Sequence, residues 1–143
     1  MRLAFQPYRA GDKPYLWTTY VEAMKPHISR MWGWDAAWQE NDFAKGLRRY
    51  ETLVLEDSDC RLGYLQVRNN RDSTFIAMII LEPGCRSRGY GPTVLDKLQN
   101  ERPGKPLTLR CFRVNTAAYQ FYIRCGFRVV RTDDYFIAMH RPA

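Results

Sequence analysis

The sequence predicts an α+β protein with an α/β three-layer arrangement. It consists of one mixed, mostly antiparallel sheet of six to seven strands, together with about four helices. Three observations predict this class. Residues 75–81 form an uninterrupted apolar and β-branched run, which suits a strand covered on both faces. Short turns separate several predicted strands, so those neighbours must pair antiparallel. A predicted helix also separates two later strands, and such a crossover favours parallel pairing.

The individual elements follow from apolar periodicity and from residues that start or stop helices. The predicted strands cover residues 2–8, 50–56, 61–68, 75–81, 107–113, 127–131 and 135–140. Four helices lie between them. Asp12, Asp35 and Asn115 are candidate N-caps because a short polar side chain can accept a hydrogen bond from the first helical turn. Pro26 is expected to end the first helix, and Gly126 the last one.

Bulk composition restricts the class of protein. A chain of 143 residues with 45% hydrophobic and 26% charged residues is expected to form one domain, residues 1–143. Its net charge of +7 should attract polyanions, and both phosphate-bearing cofactors and nucleic acid qualify. The four cysteines form no C-x-x-C pair and do not cluster with either histidine, so no metal is expected. Without an apolar leader or a membrane-length run, the expected location is the cytoplasm, with no membrane partner.

A basic loop with two glycines, Arg86-Ser-Arg-Gly-Tyr-Gly91, lies between the apolar strand 75–81 and the next helical pattern. Glycine can adopt positive φ and lets a ligand approach the backbone closely. The first N–H groups of a helix have no internal partner, and the helix dipole adds positive character there. Pro92 suits the first helical turn. The arrangement therefore predicts a site for a phosphate or a similar anion.

These residues resemble the acyl-CoA diphosphate loop of the GNAT N-acetyltransferase family, which reads Arg/Gln-x-x-Gly-x-Gly/Ala. A downstream stretch, Val114-Asn115-x-x-Ala118-x-x-Phe121-Tyr122-x-x-x-Gly126-Phe127, is similar to the second half of the same signature. The predicted order of strands and helices also matches the family over the whole chain. The resemblance implies the GNAT acyl-CoA N-acyltransferase fold, acetyl-CoA as cofactor, and direct acetyl transfer to an amine without a covalent enzyme intermediate.

The resemblance also implies roles for particular residues. The implied cofactor-binding residues are Ile79, Leu81, Arg86, Ser87, Arg88, Gly89, Tyr90, Gly91, Thr93 and Asn115. Tyr122 matches the catalytic tyrosine that protonates the departing sulfur, which a phenol of pKa about 10 can do. A core tyrosine on an amphipathic helix is the alternative. Asn115 would reach the pantetheine arm, a role compatible with capping its helix.

Acceptor binding is expected in the segment 27–38, because in this family the connection between the first two helices overhangs the acceptor site. The residues assigned to substrate binding are His27, Trp32, Trp34 and Asp35, with Met31 and Trp38 as further wall residues. Indole rings attract a cationic amine, and Asp35 could hold an ammonium group. The alternatives are that the tryptophans anchor the core and that His27 is structural.

The general base stays open at the level of sequence, because residues 73–81 contain no acidic residue. Glu82, Asp35, Glu22, His27 or a water relay could serve, and Glu82 is interpreted more readily as a solvated loop charge. The acceptor is a small-molecule, peptide or protein amine. The sequence does not decide between a monomer and a homodimer.

Two rival functions remain to be tested. One is a basic nucleic-acid-binding module, favoured by the net charge and by arginines interleaved with aromatic residues. Those arginines are spread over several predicted elements and no binding motif is present, which disfavours nucleic acid as a partner. The other rival is a catalytically silent CoA-binding sensor of the same fold. It is suggested by the absence of an acidic residue from strand 75–81, where some members of the family resembled carry a glutamate.

Overall fold

A computed structural model describes residues 1–143 as seven β-strands and four α-helices, with two short 3-10 turns. The strands are β1 (Leu3–Pro7), β2 (Glu51–Asp57), β3 (Cys60–Asn69), β4 (Thr74–Leu81), β5 (Leu107–Phe112), β6 (Arg128–Thr132) and β7 (Phe136–Arg141). The helices are α1 (Lys13–Met31), α2 (Ala36–Arg49), α3 (Tyr90–Asn100) and α4 (Thr116–Arg124). The predicted number and order of elements are confirmed.

All seven strands form one sheet in the order β1-β2-β3-β4-β5-β7-β6. Every neighbouring pair is antiparallel except β4 and β5, which are parallel because α3 carries the chain back between them. The last hairpin inserts β7 beside β5, so β6 becomes an edge strand and all five of its residues are exposed. The mixed, mostly antiparallel sheet is therefore as predicted.

Two apolar clusters cover the two faces of the sheet. The larger cluster packs α3 and α4 against one face through Val94, Leu95 and Tyr122. The smaller cluster packs α1 and α2 against the other face through Leu16 and Leu47. Helices on both faces make the three predicted layers, and they explain why the residues of β4 are apolar without alternation.

Strands β4 and β5 are hydrogen-bonded only at their start, where Ile76 is the last residue of β4 to pair with β5. A β-bulge at Ala77 accompanies the separation, since Gln66 of β3 pairs with Met78 while Val67 pairs with Ile76. One extra residue reverses the alternation of side chains. Ile76 and Ile80, four residues apart, consequently belong to opposite apolar clusters. The strand edges beyond the bulge frame a gap through the sheet.

Two predictions about helix ends are wrong. Helix α1 continues through Pro26 to Met31, because Pro26 lies on the exposed side, where water can hydrate the carbonyl that loses its partner. Asp12 does not cap α1. Its carboxylate instead accepts the Arg9 amide at 2.8 Å and pairs with Arg61 at 3.6 Å, holding the preceding 3-10 turn.

Other signals at helix ends are confirmed. Asp35 caps α2 by accepting the Trp38 amide at 3.0 Å, and Asn115 caps α4 by accepting the Ala118 amide at 3.1 Å. Gly126 follows α4 with φ of 93°, and the Phe127 amide bonds the Tyr122 carbonyl at 3.0 Å. This left-handed glycine ends the helix as its position predicts. None of the four helices has the length and apolar content needed to span a membrane.

Candidate active site

The gap between β4 and β5 opens into a cavity of about 430 Å³ that reaches both faces of the sheet. Side chains of β5 divide by face: Cys111 belongs to the cluster under α3 and α4, whereas Phe112 packs in the cluster under α1 and α2. Tyr122, Ala118 and Asn115 line the cavity on the α4 side. The cavity therefore connects the two sides of the sheet through the split between the strands.

The main-chain groups of β4 beyond the bulge are available along this gap. The Glu82 amide donates to the Leu62 carbonyl of β3 at 2.7 Å, and main-chain direction alternates along a strand. The main-chain N–H and C=O groups of Leu81 and Ile79 therefore point away from β3 and into the split. The Leu81 carbonyl accepts Nε of Arg86 at 2.9 Å, so Ile79 is the position whose amide and carbonyl remain open to an extended ligand.

The loop between β4 and α3 presents unpaired amides. The N–H groups of Ser87, Arg88, Gly89, Tyr90 and Gly91 donate no hydrogen bond within the protein. Ser87 has φ of 62° and Gly89 has φ of 81°, so both residues are in the left-handed region. Their conformation orients the loop amides differently from those of a regular helix. A Cβ on Gly89 would meet no atom within 4 Å. This loop meets the geometric requirement for binding an anion at a helix N-terminus.

Neighbouring contacts hold that loop in place. The Tyr90 hydroxyl donates to Oδ2 of Asp57, at the end of β2, at 2.6 Å. Thr93 Oγ1 donates to the Gly89 carbonyl at 2.9 Å. A Cβ on Gly91 would come within 2.6 Å of the Phe121 ring, so the absence of a side chain there allows α3 and α4 to pack closely. Glycine therefore allows the left-handed backbone conformation at residue 89 and the close packing of two helices at residue 91.

The two arginines of the loop, Arg86 and Arg88, have different surroundings. The Arg86 guanidinium pairs with Glu22 of α1 at 3.2 Å and also bonds the Leu81 carbonyl, which fastens the loop to α1. Arg88 is exposed and forms no ion pair within the protein. The arginines that line the open pocket beside the loop are Arg124 of α4 and Arg141 of β7.

That pocket has a volume of about 540 Å³, and Ser87, Gly89 and Gly91 form one wall of it. Asp96 lies there as well and pairs with Arg141, which leaves Arg124 as the cation without a carboxylate partner. Sequence reasoning did not find Arg124 or Arg141 as pocket residues. They follow the loop by more than thirty residues, and only the packing of α4 and β7 brings them to it.

Tyr122, a residue of α4, is buried against the sheet and lines the cavity. Its hydroxyl makes no hydrogen bond within the protein and is not sealed from the cavity. Burial, followed by the neighbouring thiols of Cys111 and Cys125, raises the pKa of Tyr122 above its ordinary value of 10.0. The phenol is therefore protonated at neutral pH and has a proton to donate into the cavity.

Asn115 lines the same cavity while its side-chain oxygen caps α4. The amide nitrogen of that side chain remains without a partner in the protein. The capping role and a role toward a ligand are thus compatible in one side chain, as expected from the sequence.

Of the four predicted acceptor-binding residues, one lines the cavity and three do not. Trp32 lines the cavity, is 50% exposed and packs against Phe112 and Tyr135. Trp34 is not in the cavity lining; its ring packs 6.3 Å from Trp17 in the cluster of α1 and α2. Asp35, which caps α2, is also outside the lining.

His27 likewise does not line the cavity. Its buried Nδ1 has no partner, and burial, with the nearby Arg30 as a smaller cause, lowers the pKa of the His27 imidazole below 6.5. Trp38, 58% exposed, does line the cavity, so Trp32 and Trp38 are the indoles of this segment that reach it.

The candidate bases occupy different surroundings from those expected. Glu82 is half-buried and accepts the Tyr15 hydroxyl at 2.7 Å, so its interpretation as a solvated loop charge is wrong. Glu22 is engaged by Arg86. Neither glutamate lines the cavity, and the carboxylate that does is Asp42 of α2, which sequence reasoning overlooked. The sequence did contain one indication of Asp42: it follows Gln39 by three residues, which places both on one face of α2.

Comparison with known proteins gives the class of this fold. The PaiA N-acetyltransferase of Thermoplasma acidophilum in complex with coenzyme A is 16% identical, with a TM-score of 0.77 and 100% of both chains covered. An acetyltransferase from Thermus thermophilus is 18% identical, with a TM-score of 0.78 over 100% of this chain and 98% of the other. At these identities the likeness concerns the fold.

A third neighbour is the ribosomal-protein-S18-alanine N-acetyltransferase of Escherichia coli, 21% identical, with a TM-score of 0.72 over 98% of this chain and 93% of the other. No curated protein sequence matches significantly. The sequence model of the acetyltransferase (GNAT) family matches residues 14–127. The chain therefore belongs to the GNAT acetyltransferase family, as its two motifs predicted, and membership indicates acyltransferase activity.

Proposed function

We propose that the protein is an acetyl-CoA-dependent N-acetyltransferase that transfers an acetyl group directly to a primary amine of a small molecule, peptide or protein. One observation carries this proposal. The five free amides of residues 87–91 lie where the chain passes from β4 into α3 and border one pocket, while the open main chain of Ile79 and the Tyr122 side chain line the cavity at the split in the sheet. An elongated cofactor with a diphosphate at one end and a thioester at the other needs donors at both ends.

The residues fit acetyl-CoA at both ends. The loop amides and the N-terminus of α3 would hold the diphosphate, with Arg124 adding a cation. The Ile79 main chain and the Asn115 amide nitrogen would hold the pantetheine arm by hydrogen bonds. When bound, acetyl-CoA supplies an acetyl group activated as a thioester. The chain's own contribution is to orient that group beside an amine, which removes much of the entropic barrier.

Tyr122 is the proposed acid. Its phenol is protonated at neutral pH, and its hydroxyl is free to donate a hydrogen bond where the departing sulfur becomes negative. The amine must lose its own proton, because an alkylamine of pKa about 10.4 is almost wholly protonated at pH 7. Asp42, the carboxylate in the cavity lining, can accept that proton directly or through water.

The experiment that tests the proposal measures acetyl-CoA binding by isothermal titration calorimetry and then thiol release in the presence of a panel of amines. We expect acetyl-CoA binding in the micromolar range and amine-dependent release of CoA, with acetylated amine identified by mass spectrometry. Absence of acetyl-CoA binding would contradict the cofactor assignment. Binding without turnover for every amine would favour the CoA-binding sensor instead.

The same preparation tests nucleic acid as a partner. Arg110 points into the cavity lining, Arg124 borders the loop pocket, and Arg128 and Arg131 lie on edge strand β6. Arg113 donates to the Asp133 carbonyl at 3.2 Å. Arginines distributed in this way face different parts of the molecule. Tight DNA or RNA binding that falls steeply between two salt concentrations, without acetyl-CoA binding, would support the nucleic-acid-binding function.

A further inference from the structure

The side of the cavity that faces α1 and α2 carries three formal charges: Asp42 and Arg49 from α2, and Arg110 from β5. None of the three forms a salt bridge with another side chain. Arg110 lies 4.4 Å from the centre of the Phe136 ring, so its guanidinium is stacked in place while its N–H donors stay free. The lining thus has one carboxylate and two unpaired guanidinium groups.

Helix α2 directs its share of these groups to one face. Gln39, Asp42, Gly46 and Arg49 all line the cavity, with spacings of three, four and three residues. Asp42 and Arg49 are two helical turns apart, roughly 10 Å along the axis at about 1.5 Å per residue. Asp42 also lies near Tyr20, where burial first and the Asp42 charge second raise the pKa of the Tyr20 phenol to about 12.

Two buried amides add polar groups without partners. Gln39 is 5% exposed; its Oε1 accepts the Tyr20 hydroxyl at 3.0 Å, and the other end of the amide has no partner. Gln66 is 5% exposed; its Nε2 donates to Thr52 at 3.1 Å, and its Oε1 has no partner. Both residues line the cavity, and neither free atom is sealed in the core. Because they are open to the cavity, these two polar atoms are free to form hydrogen bonds with a polar ligand.

The charge balance decides what kind of amine fits. An acceptor ammonium would be attracted by Asp42 alone, while Arg49 and Arg110 would repel it and leave the lining with a net positive charge. An acceptor that also carries an acidic group satisfies all three charges, because guanidinium groups bind carboxylate and phosphate with paired hydrogen bonds. Asp133 interacts electrostatically with Arg110 but forms no salt bridge with it, and the Asp133 carboxylate accepts the amides of Tyr135 and Phe136.

We propose that the acceptor is a small primary amine that also carries a carboxylate or phosphate group, with Asp42 holding the ammonium and Arg49 and Arg110 holding the acidic group. This inference rests on the proposed acetyltransferase function. The cavity volume of about 430 Å³ holds a small molecule alongside the acetyl end of the cofactor. The aromatic wall of Trp32 and Phe112 would cover the carbon chain between the two charged ends.

The test compares matched pairs of acceptors that differ only in the acidic group: β-alanine with β-alaninamide, and phosphoethanolamine with ethanolamine. With acetyl-CoA saturating, we expect kcat/KM to be at least about tenfold higher for the acidic member of one pair, and the pair that responds distinguishes carboxylate from phosphate. Equal or higher kcat/KM for the uncharged members would overturn the proposal.

Variants then assign the preference to residues. Arg49→Gln and Arg110→Gln should each reduce the acidic-over-neutral ratio of kcat/KM about tenfold or more, while acetyl-CoA affinity stays within twofold. Arg48→Gln is the matched control, since Arg48 adjoins Arg49 on α2 but does not line the cavity, and its ratio should not change. A ratio that survives both cavity variants would refute the assignment.

Direct binding separates this inference from the function beneath it. If wild-type protein fails to bind acetyl-CoA, the proposed function itself is wrong. If acetyl-CoA binds, the CoA-saturated protein is titrated by calorimetry with each matched pair, which requires no turnover. Tighter binding of an acidic amine supports the inference, and equal or weaker binding contradicts it while leaving the acetyltransferase function intact.

Discussion

The two sides of the split sheet are built in different ways. On the side of α3 and α4, the anion-binding geometry comes from consecutive residues of one loop, where Ser87 and Gly89 set the backbone and five amides are left unpaired. On the side of α1 and α2, the cavity wall is assembled from side chains of α2, β3 and β5, such as Asp42, Gln66 and Arg110. The first side depends on main-chain conformation and the second on side-chain identity.

The difference has a physical meaning for a transferase. Main-chain amides bind a phosphate whatever the neighbouring side chains are, so this kind of site suits a cofactor common to many enzymes. Side chains contributed by separate elements can change one at a time without disturbing the fold, so this kind of site suits an acceptor that varies. Substitutions should therefore act on cofactor affinity on one side and on acceptor selectivity on the other.

The largest expected effect is at the loop. Gly89→Val introduces a β-branched residue at φ of 81° and fills space that is open in the structure, so acetyl-CoA affinity should fall about 100-fold or more. Calorimetry measures the loss. Gly84→Val is the control, because a Cβ at Gly84 also meets open space but its φ is not positive. Similar affinities for the two variants would disprove the anion-site assignment of the loop.

The next effect is on turnover alone. Tyr122→Phe removes the proposed proton donor while leaving the ring in the core, so kcat should fall about 100-fold with acetyl-CoA affinity within twofold. Tyr119→Phe on the same helix is the control, since Tyr119 does not line the cavity. An unchanged kcat for Tyr122→Phe, measured by thiol release under saturating acetyl-CoA, would remove Tyr122 from its acid role.

On the side of α1 and α2, where we propose that the acceptor binds, Trp32 and Trp34 should behave in opposite ways although only one residue separates them. Trp32→Ala opens the cavity wall and should raise the acceptor KM about tenfold with little change in stability. Trp34→Ala removes ring contacts with Trp17 and Tyr20 and should lower the free energy of unfolding by about 2–3 kcal/mol. Urea denaturation and steady-state kinetics separate the two. A stability loss at Trp32 equal to that at Trp34 would contradict the division.

The smallest effect concerns His27. Burial lowers the pKa of this imidazole in the folded protein below 6.5, so its neutral form is favoured by folding. The sign follows: no stability is lost above pH 6.5, and stability falls as the pH drops from there to the lowered pKa of the folded state. Comparing urea midpoints at pH 7.5 and 5.5, we expect a smaller loss for His27→Asn than for wild type. An identical pH dependence would exclude this contribution.

Sequence reasoning succeeded where the determining interactions are local. The helix stop at Gly126 and the caps at Asp35 and Asn115 depend on residues within four positions of one another. It failed at Pro26, because the exposed face of α1 tolerates the missing hydrogen bond, and at Asp12, because Arg9 and Arg61 compete for its carboxylate. Both failures arise from contacts that propensity alone does not contain.

The side of α1 and α2 illustrates the same limit. The tryptophan-rich segment predicted a binding wall, yet Trp34 and Asp35 have structural roles while Trp32 and Trp38 reach the cavity. Which indole faces inward depends on the rotation of α2 and on the left-handed Gly33 before it, with φ of 80°. Gln39, Asp42 and Arg49 carry a helical spacing, but a spacing does not say which surface the helix face meets.

The sequence by itself determined the order of strands and helices, the family, and the loop that leaves main-chain amides free, because each rests on neighbouring residues and on periodicity along the chain. Only the tertiary structure decided where β4 and β5 separate and which charged side chains gather beside that opening. The bulge at Ala77 reverses which face the later residues of β4 occupy, and groups from distant elements meet only after the sheet has formed.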